Sequence, residues 1–220
     1  LSQNKKERGK AHRLGVGNTF PLRKTLLMII ITQFSLSIRE YHKKGKENYF
    51  PPIFGCPECD YEGKLHQHGW YERNVIDFSG FYRIYISRKK CPLCGQTYSQ
   101  IPDFLIPYFQ YSYQVILGIL TSILIRRLSF LKVLEELKKR DSLAFLKKQH
   151  LSFYTKRLKK SRYFIHHFFA QFPEFYYKMD YSRLTLEDFL RSLVKKIEAF
   201  NSFNLNYCQA MPDYFFKSQD

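Results

Sequence analysis

The sequence of 220 residues predicts an α+β fold in which a small antiparallel sheet precedes a helical bundle. All ten glycines lie at or before Gly118, and the first half alternates Tyr and Ile between Gly and Pro residues, as strands and loops do. No proline stands between Pro107 and Pro173, and this stretch is rich in Leu, Lys and Phe. We therefore expect helix from about Tyr111 to Phe172.

The chain divides into four predicted segments. They are a basic, disordered arm at 1–27, a sheet domain at 28–107, a basic helical domain at 108–172 and a helical extension at 173–220. The first methionine is Met28, so the arm either binds nucleic acid, acts as a targeting sequence or lies upstream of the natural start. The apolar runs at 26–31 and 115–125 are too short to span a bilayer and are predicted as core. We expect a cytoplasmic protein with no membrane partner.

The positive charge is large and unevenly placed. Lys and Arg number 36 against 19 Asp and Glu, so the formal net charge is +17 at pH 7. Residues 1–55 carry +8, residues 56–107 are neutral, residues 108–172 carry +10 and residues 173–220 carry −1. This excess predicts a polyanionic partner, either nucleic acid or an anionic membrane surface. Within the helical segment, 13 cations against three acids favour such a partner over a bundle whose cations are merely solvated.

Four of the five cysteines form two CxxC pairs, Cys56-Pro-Glu-Cys59 and Cys91-Pro-Leu-Cys94. In a cytoplasmic chain, two such pairs predict one tetrahedral metal site better than they predict disulfides. Alternating residues between them predict strands at 64–67, 70–73 and 82–87 with a turn near Gly69, so we interpret this unit as a zinc ribbon. Because all four ligands are cysteines, the one Zn²⁺ is expected to be structural. Redox-active thiols and iron in place of zinc are the alternatives.

Other residues near these pairs carry weaker predictions. Asp60 and Gly95 follow the two pairs and suit left-handed turns, Gly95 better than Asp60. His66 and His68 are alternative ligands or phosphate contacts, although strand histidines are more often packed or solvated. Cys208 stands alone and is predicted to be a buried thiol.

The basic segment predicts three amphipathic helices. The first runs over 113–126 with its apolar side at Val115, Ile116, Ile119, Leu120, Ile123 and Leu124. Ser129 caps the second, with Leu131, Leu134 and Leu137 inward and Lys132, Lys138 and Lys139 outward. The third runs from about His150 or Leu151 to Phe172 and buries Leu151, Tyr154 or Thr155, Leu158, Ile165, Phe168, Phe169 and Phe172. Residues 141–149 can hold an extra turn, capped by Ser142 and including Leu143 and Phe145.

This order of helix, turn and cationic helix predicts a helix-turn-helix whose last helix enters the major groove of DNA. The nine-residue connection at 141–149 is longer than such turns usually are. The predicted DNA-binding residues are Ser152, Lys156, Arg157, Lys159, Lys160 and Arg162. We expect Ser152 or Lys156 to reach base edges, and Lys156, Arg157, Lys159 and Lys160 to contact phosphates.

Past Pro173 the sequence predicts one more amphipathic helix. Thr185 and Asp188 resemble a capping box, with Asp in place of the usual Glu. Apolar residues at 186–200 follow at helical spacing, so this helix either closes the bundle or dimerises.

The motifs around the cysteines resemble the zinc-binding N-terminal domains of bacterial insertion-sequence transposases. They are also similar to mobile-element proteins that join such a ribbon to a helix-turn-helix. The strings are Cys56 to Cys59, His68-Gly-Trp-Tyr71-Glu-Arg73, Ile84-Tyr-Ile86-Ser-Arg88, Cys91 to Cys94, Thr97-Tyr98-Ser99 and Ile106-Pro-Tyr108. The resemblance covers about 28–172 and implies binding to DNA at element ends or at a regulatory site.

The catalytic activity of those transposases is not expected here. Their catalytic domain needs three separated carboxylates and two metal ions, whereas the 48 residues after Phe172 are too few for a ribonuclease-H-like core. No Ser/His/Asp or Cys/His arrangement and no Gly-rich phosphate loop is evident. We therefore predict a non-enzymatic, nucleoid-associated protein that binds double-stranded DNA selectively as a transposase accessory, a regulator or a transposase remnant.

Two other functions stay open at this point. One is an RNA-binding ribbon protein in which Trp70, Tyr82 and Tyr85 stack on bases. The other is the DNA-binding subunit of a split transposase or recombinase. The partners expected are duplex DNA, a transposase or recombinase subunit, and a second copy of the chain.

Overall fold

Residues 29–170 and 185–199 are described in the structure, which is a computed structural model. Within these ranges the fold is α+β, as predicted, with a four-stranded mixed sheet and several helices. The predicted arm at 1–27 and Cys208 lie outside the described residues.

The sheet has the strand order β1-β4-β3-β2. The strands are β1 (Ile29–Thr32), β2 (His66–Asp77), β3 (Gly80–Lys90) and β4 (Thr97–Pro102). β3 is antiparallel to both of its neighbours, but β1 runs parallel to β4, with Ile29 opposite Ser99. The prediction of a purely antiparallel sheet is therefore wrong at this edge. The apolar run that includes Ile31 does reach the core, but its partner strand is distant in sequence and local alternation does not identify it.

Strand β2 is continuous through the position where a turn was predicted. At Gly69 the backbone φ is +129° and the register with β3 shifts between Gln67 and Gly69, so this glycine forms a β-bulge. The chain reverses instead at Phe78-Ser79, between β2 and β3. The turn prediction near Gly69 is wrong because a positive φ suits a bulge as well as a turn.

A helix stands in the first half, where only strands and loops were predicted. Helix α1 (Ile38–Lys44) begins at a capping box, in which the Ser37 N–H donates to a Glu40 carboxylate oxygen (2.9 Å) and the Glu40 N–H donates to Ser37 Oγ (3.3 Å). Tyr41 is buried, and its hydroxyl donates to the carbonyl oxygen of Tyr85 (3.0 Å), which fixes α1 against β3.

Within the described residues, the segment predicted to be helical consists of helices and the short connections between them, whereas Phe172 lies outside those residues. It contains α2 (Tyr113–Leu120), which continues into one π-helical turn, then α3 (Phe130–Lys138) and α4 (Lys148–Ala170). The apolar residues of α2 that face the core are Val115, Ile116, Ile119 and Leu120, as predicted. None of the described helices has both the length and the apolar character needed to cross a membrane.

Helix α3 begins where predicted and buries part of its predicted apolar side, since Leu134 and Leu137 pack in the core. Ser129 Oγ accepts a hydrogen bond from the Lys132 N–H (3.3 Å), which confirms the cap. Leu131 was predicted to point inward and is 68% exposed, whereas Val133 and Leu134 are buried. The predicted stripe repeated every three residues and therefore drifts around a helix that turns every 3.6 residues.

Helix α4 begins slightly before the predicted start and buries one stripe of side chains. The buried residues are Leu151, Tyr154, Leu158, Ser161, Ile165 and Phe168. Between α3 and α4 there is a single 3₁₀ turn at Asp141–Leu143, in which Leu143 is buried. Phe145 was predicted to belong to this turn, but it lies beyond it and is 78% exposed.

Helix α5 (Leu186–Ala199) packs in the same core as α2, α3 and α4. Thr185 Oγ1 accepts a hydrogen bond from the Asp188 N–H (3.1 Å), as the predicted cap requires. The side chains that α5 adds to the core include Phe189, Leu190 and Leu193.

The end of β2 joins the sheet to the helices. Asp77 is 7% exposed, and its Oδ1 accepts a hydrogen bond from the hydroxyl of Ser112 (2.6 Å), the residue that caps α2. Its Oδ2 accepts from the Ser79 N–H (3.1 Å) in the hairpin turn. Ser142, predicted to be a helix cap, donates instead to the Asp77 carbonyl oxygen (2.9 Å). The Asp77 carboxylate therefore joins the hairpin to α2, and the backbone carbonyl of the same residue holds the α3–α4 connection.

A glycine allows this close packing. A Cβ atom at Gly118 of α2 would lie 2.8 Å from the tip of the Phe78 ring, which belongs to the hairpin turn. The last glycine of the sequence therefore stands where the hairpin docks on the bundle.

Replacement of Asp77 by Ala is expected to lower the free energy of unfolding by about 3 kcal/mol, because the charged carboxylate loses a buried hydrogen bond from Ser112 and partly buried ones from Ser79. Burial raises the pKa of the Asp77 carboxyl, but the hydrogen bonds from Ser112 and Ser79 outweigh it and hold the pKa below its ordinary value. The contribution of Asp77 is thus present above the unfolded pKa of about 3.9 and disappears as the pH falls through the lower folded value.

Urea unfolding of wild type and Asp77→Ala at several pH values measures this effect. Asp141→Ala is the control, because Asp141 is an exposed aspartate in the α3–α4 connection, and its replacement should change the free energy of unfolding by less than about 0.5 kcal/mol. Equal losses in the two variants at neutral pH would contradict the role given to Asp77.

Candidate functional site

The four cysteines of the two CxxC pairs come together, as predicted. Their sulfur atoms all lie within 4.8 Å of one another, with 3.6 Å between Cys56 and Cys94 and 3.7 Å between Cys59 and Cys91. Tetrahedral zinc with Zn–S bonds of about 2.3 Å places sulfur atoms about 3.8 Å apart, whereas a disulfide needs about 2.05 Å. The arrangement is therefore compatible with a structural metal site formed by four thiolates.

Two tight turns present these sulfur atoms. Before β2, the Cys56 N–H donates to the Tyr61 carbonyl oxygen (2.7 Å). After β3, the Cys91 N–H donates to the Gln96 carbonyl oxygen (2.9 Å), and Gly95 has a φ of +74°. The left-handed prediction for Gly95 is confirmed. It is wrong for Asp60, which is not among the described non-glycine residues with positive φ.

Hydrogen bonds stabilise negative charge on Cys56. Burial raises the pKa of the Cys56 thiol, but the Tyr98 hydroxyl, 3.1 Å from Sγ, and the Glu58 N–H outweigh it, and with the neighbouring cysteines they lower this pKa to about 6. For Cys59 the Tyr61 N–H favours the thiolate, yet burial and the nearby sulfur atoms raise the pKa to about 12. Each further cysteine of the group that loses its proton is therefore repelled by the thiolate already present. A bound cation relieves this repulsion.

Removal of the Tyr98 hydroxyl is expected to weaken metal binding about tenfold without unfolding the protein, because the ring stays buried while one hydrogen bond to a ligand is lost. Competition with a chromophoric chelator measures the affinity of Tyr98→Phe. Tyr61→Phe is the matched control, since Tyr61 packs against the same small cluster but donates its hydroxyl to the Lys64 carbonyl oxygen. Equal affinities of Tyr98→Phe and wild type would exclude this role of Tyr98.

The two histidines between the cysteine pairs are not part of the ligand group. Among the described residues the group consists of cysteines alone, and both His66 and His68 are exposed on β2. The prediction that they could serve as alternative ligands finds no support in this arrangement.

The six predicted DNA-binding residues all lie on α4. Lys156, Lys159 and Lys160 are exposed, and Ser152, Arg157 and Arg162 are half-buried. Helical spacing places Ser152 and the three lysines opposite the buried stripe, with the two arginines on the flanks. The Arg157 guanidinium lies 5.0 Å from the centre of the Phe153 ring. No Asp or Glu occurs in the sequence between Asp141 and Glu174, so α4 carries cations without acids.

The first turns of α4 form an open concavity, and only some of its lining residues were predicted from the sequence. Its lining residues are Lys147, Lys148, Gln149, Ser152, Phe153 and Lys156. Lys147, Lys148 and Gln149 were missed because the helix was expected to begin at His150 or Leu151. The adjacent lysine pair was the signal that could have identified them.

The comparisons with known proteins add one finding. A family model described as "Domain of unknown function (DUF6431)" matches residues 56–130. The matched part runs from the first cysteine pair through the hairpin, β4 and α2 to the first residue of α3. No curated protein and no solved structure matches the chain.

Within the matched part, the His-Gly-x-Tyr-x-Arg string is explained partly by the fold. Arg73 Nη2 donates to the carbonyl oxygens of Ile106 (2.9 Å) and Phe109 (2.6 Å), and so holds the loop after β4 on the sheet. Tyr71 packs against the sheet core, whereas His68 is exposed. Arg73 therefore has a structural role in addition to any binding role.

The three aromatic residues proposed to stack on RNA bases do not form an exposed row. Tyr82 is buried and donates its hydroxyl to the Ser79 carbonyl oxygen (3.1 Å). Trp70 is half-buried with its ring 4.9 Å from that of Phe50. The half-buried Tyr85 has a lysine ammonium over its ring.

Proposed function

We propose that this chain is a sequence-selective, double-stranded DNA-binding protein of a mobile element, in which a zinc ribbon supports a helix-turn-helix-like unit built from α3 and α4. The observation that carries this proposal is the outer face of α4. This face carries Lys156, Lys159 and Lys160 together with the exposed ring of Tyr163, and the apolar stripe of the helix lies on the opposite side.

The chemistry of α4 favours a nucleic acid over a membrane. Polar side chains capable of reading base edges, Gln149 and Ser152, stand in the first turns, and Lys156 and Lys159 follow them. A recognition helix presents its N-terminal residues to the bases and its later cations to phosphates. A helix that binds the bilayer interface needs an apolar face turned toward lipid, but the apolar stripe of α4 is buried in the bundle.

Zinc is the metal we assign to the four cysteines. Four thiolates at tetrahedral spacing suit Zn²⁺, which has no redox chemistry and binds sulfur readily. With all four positions filled by protein, the metal would stabilise the turns and leave no position for a substrate. This supports a structural role and a non-enzymatic protein.

The link to mobile elements rests on the sequence resemblance to insertion-sequence transposases. The strings that carry it all lie inside the segment matched by the family model, 56–130. We propose a transposase-related accessory, regulator or remnant that acts in the cytoplasm on the nucleoid. The DNA-binding subunit of a split transposase or recombinase is the alternative, and metal-dependent strand cleavage by a reconstituted pair would reveal it.

A salt titration of duplex binding tests the proposed function. About six phosphate contacts predict a slope near −5 when the logarithm of the binding constant is plotted against that of the salt concentration. A slope near zero would contradict DNA binding by α4. Competition with structured RNA in the same assay separates the two nucleic acids, because a protein specific for RNA would be displaced from the duplex.

A further inference from the structure

A second cationic surface lies on the sheet, and its lining includes no residue of the cysteine cluster or of α4. It is a cleft between the strands and the loop that follows β4. Its lining residues include Tyr71, Arg73, Arg88, Thr97, Ser99 and Tyr108. These six residues come from four of the sequence strings that resemble mobile-element proteins. Neither the metal site nor α4 accounts for their clustering.

The register of the sheet leaves room beside Arg88. Arg88 lies opposite Ser99 on β4 and opposite Gly69 on β2. Gly69 has no side chain, and a Cβ placed there would meet no atom within 4 Å. The bulge therefore opens space on one side of the Arg88 guanidinium, and the Ser99 hydroxyl stands on the other side.

Positive charge in this cleft is not neutralised by any described carboxylate. Arg88 is exposed, and no ion pair joins it to an acid within the described residues. Arg73 is held by two backbone carbonyl oxygens, which leave its charge in place. By contrast, Arg83 on the same strand forms an ion pair with Glu72.

An aromatic ring borders the same cleft. Tyr108 is 68% exposed although its side chain is a large aromatic ring, and its backbone φ is +66°. A left-handed backbone is unfavourable for a residue with a side chain. At this position it keeps the Tyr108 ring at the edge of the cleft, where an aromatic face can pack against a sugar or a base.

We propose that this cleft is a second DNA-binding site, which takes a backbone phosphate between Arg88 and the hydroxyls of Thr97 and Ser99, with Tyr108 against the adjoining sugar or base. The proposal rests on the proposed function, since it adds a contact to the same DNA. Two guanidinium groups and several hydroxyls without a described acid form a surface complementary to phosphate, and guanidinium groups bind phosphate by paired hydrogen bonds. The contact reads no sequence and would position the ribbon on the duplex.

Fluorescence anisotropy of metal-loaded protein on duplexes of unrelated sequence tests this site. We expect Arg88→Gln to weaken binding about fivefold to tenfold on every duplex and to make the salt slope shallower by about 1. Arg88→Lys should keep the slope and lose less affinity, because it retains the charge but not the paired hydrogen bonds. Arg83→Gln is the matched control, with the same chemical change on the same strand, and should leave both values unchanged.

The outcomes separate the two proposals. Suppose that Arg88→Gln and Arg83→Gln bind DNA as wild type does, while the α4 variant Lys156→Gln/Lys159→Gln binds more weakly. The cleft proposal is then overturned and the proposed function stands. If wild type itself shows no salt-dependent binding to DNA, both are overturned. Equal metal content and equal melting temperatures of the arginine variants ensure that a lost contact, and not a lost fold, is measured.

Discussion

Removal of the metal is expected to unfold the cysteine-bearing end of the sheet. Structural zinc contributes about 10–16 kcal/mol in small zinc domains, which equals or exceeds the free energy of unfolding of a typical domain. The apolar cluster next to the sulfur atoms is small, with Leu65, Cys91 and Tyr98 as its buried members. Without the metal it has too little buried surface to hold two turns in place.

The measurement combines metal analysis with unfolding. We expect about one zinc per chain, and a large fall in melting temperature and loss of strand signal after a strong chelator is added. Cys91→Ser should behave like the chelated protein, because it removes one ligand and leaves a hydroxyl at a fully buried position.

Cobalt and a fifth cysteine provide the controls. Cobalt in place of zinc should give the strong visible absorption of a tetrahedral thiolate site. Cys208→Ser removes the cysteine that belongs to neither CxxC pair and should keep the metal. A chain that binds no metal, or one whose stability is the same with and without it, would contradict a structural zinc.

Loss of two lysines on α4 is expected to weaken duplex binding roughly fiftyfold at about 0.1 M salt. Each phosphate contact releases about 0.9 counterion, so each is worth nearly tenfold at this concentration. Lys156 and Lys159 are exposed on the outer face of α4, and their replacement by Gln removes charge while keeping an unbranched polar side chain of similar helix propensity. Equilibrium binding of Lys156→Gln/Lys159→Gln to the same duplex measures the effect.

A matched pair of lysines controls for net charge. Lys43 and Lys44 are exposed in the last turn of α1, and their double replacement by Gln removes the same charge from the other half of the protein. We expect this double variant to change the affinity for the duplex by less than about threefold, because it alters only the general electrostatic field of the protein. If the two double variants lose the same affinity, α4 is not the binding surface.

The features predicted correctly from sequence are those that depend on short-range chemistry. CxxC pairs must turn tightly to present two sulfur atoms to one metal, so the four-cysteine group could be predicted from its spacing. Ser129 and Thr185 cap helices through hydrogen bonds to residues three positions along the chain. Their role can therefore be recognised from the neighbouring sequence alone. Helix α1 had an equally local signal, Ser37 with Glu40, which the predictions did not use.

The features missed are those that depend on distant partners. The parallel pairing of β1 with β4 and the bulge at Gly69 are properties of register, which alternation in one strand does not specify. The exposure of Leu131 follows from how α3 docks on its neighbours. The Arg88 cleft likewise exists only because four strands and a loop bring distant parts of the sequence together.

The salt dependence of duplex binding, measured for wild type and for Lys156→Gln/Lys159→Gln side by side, tests DNA binding by α4 most directly. We predict a slope near −5 for wild type and near −3 for the double variant, since about two phosphate contacts are removed. Equal slopes for the two proteins, or a wild-type slope near zero, would contradict the assignment of α4 as the DNA-binding helix.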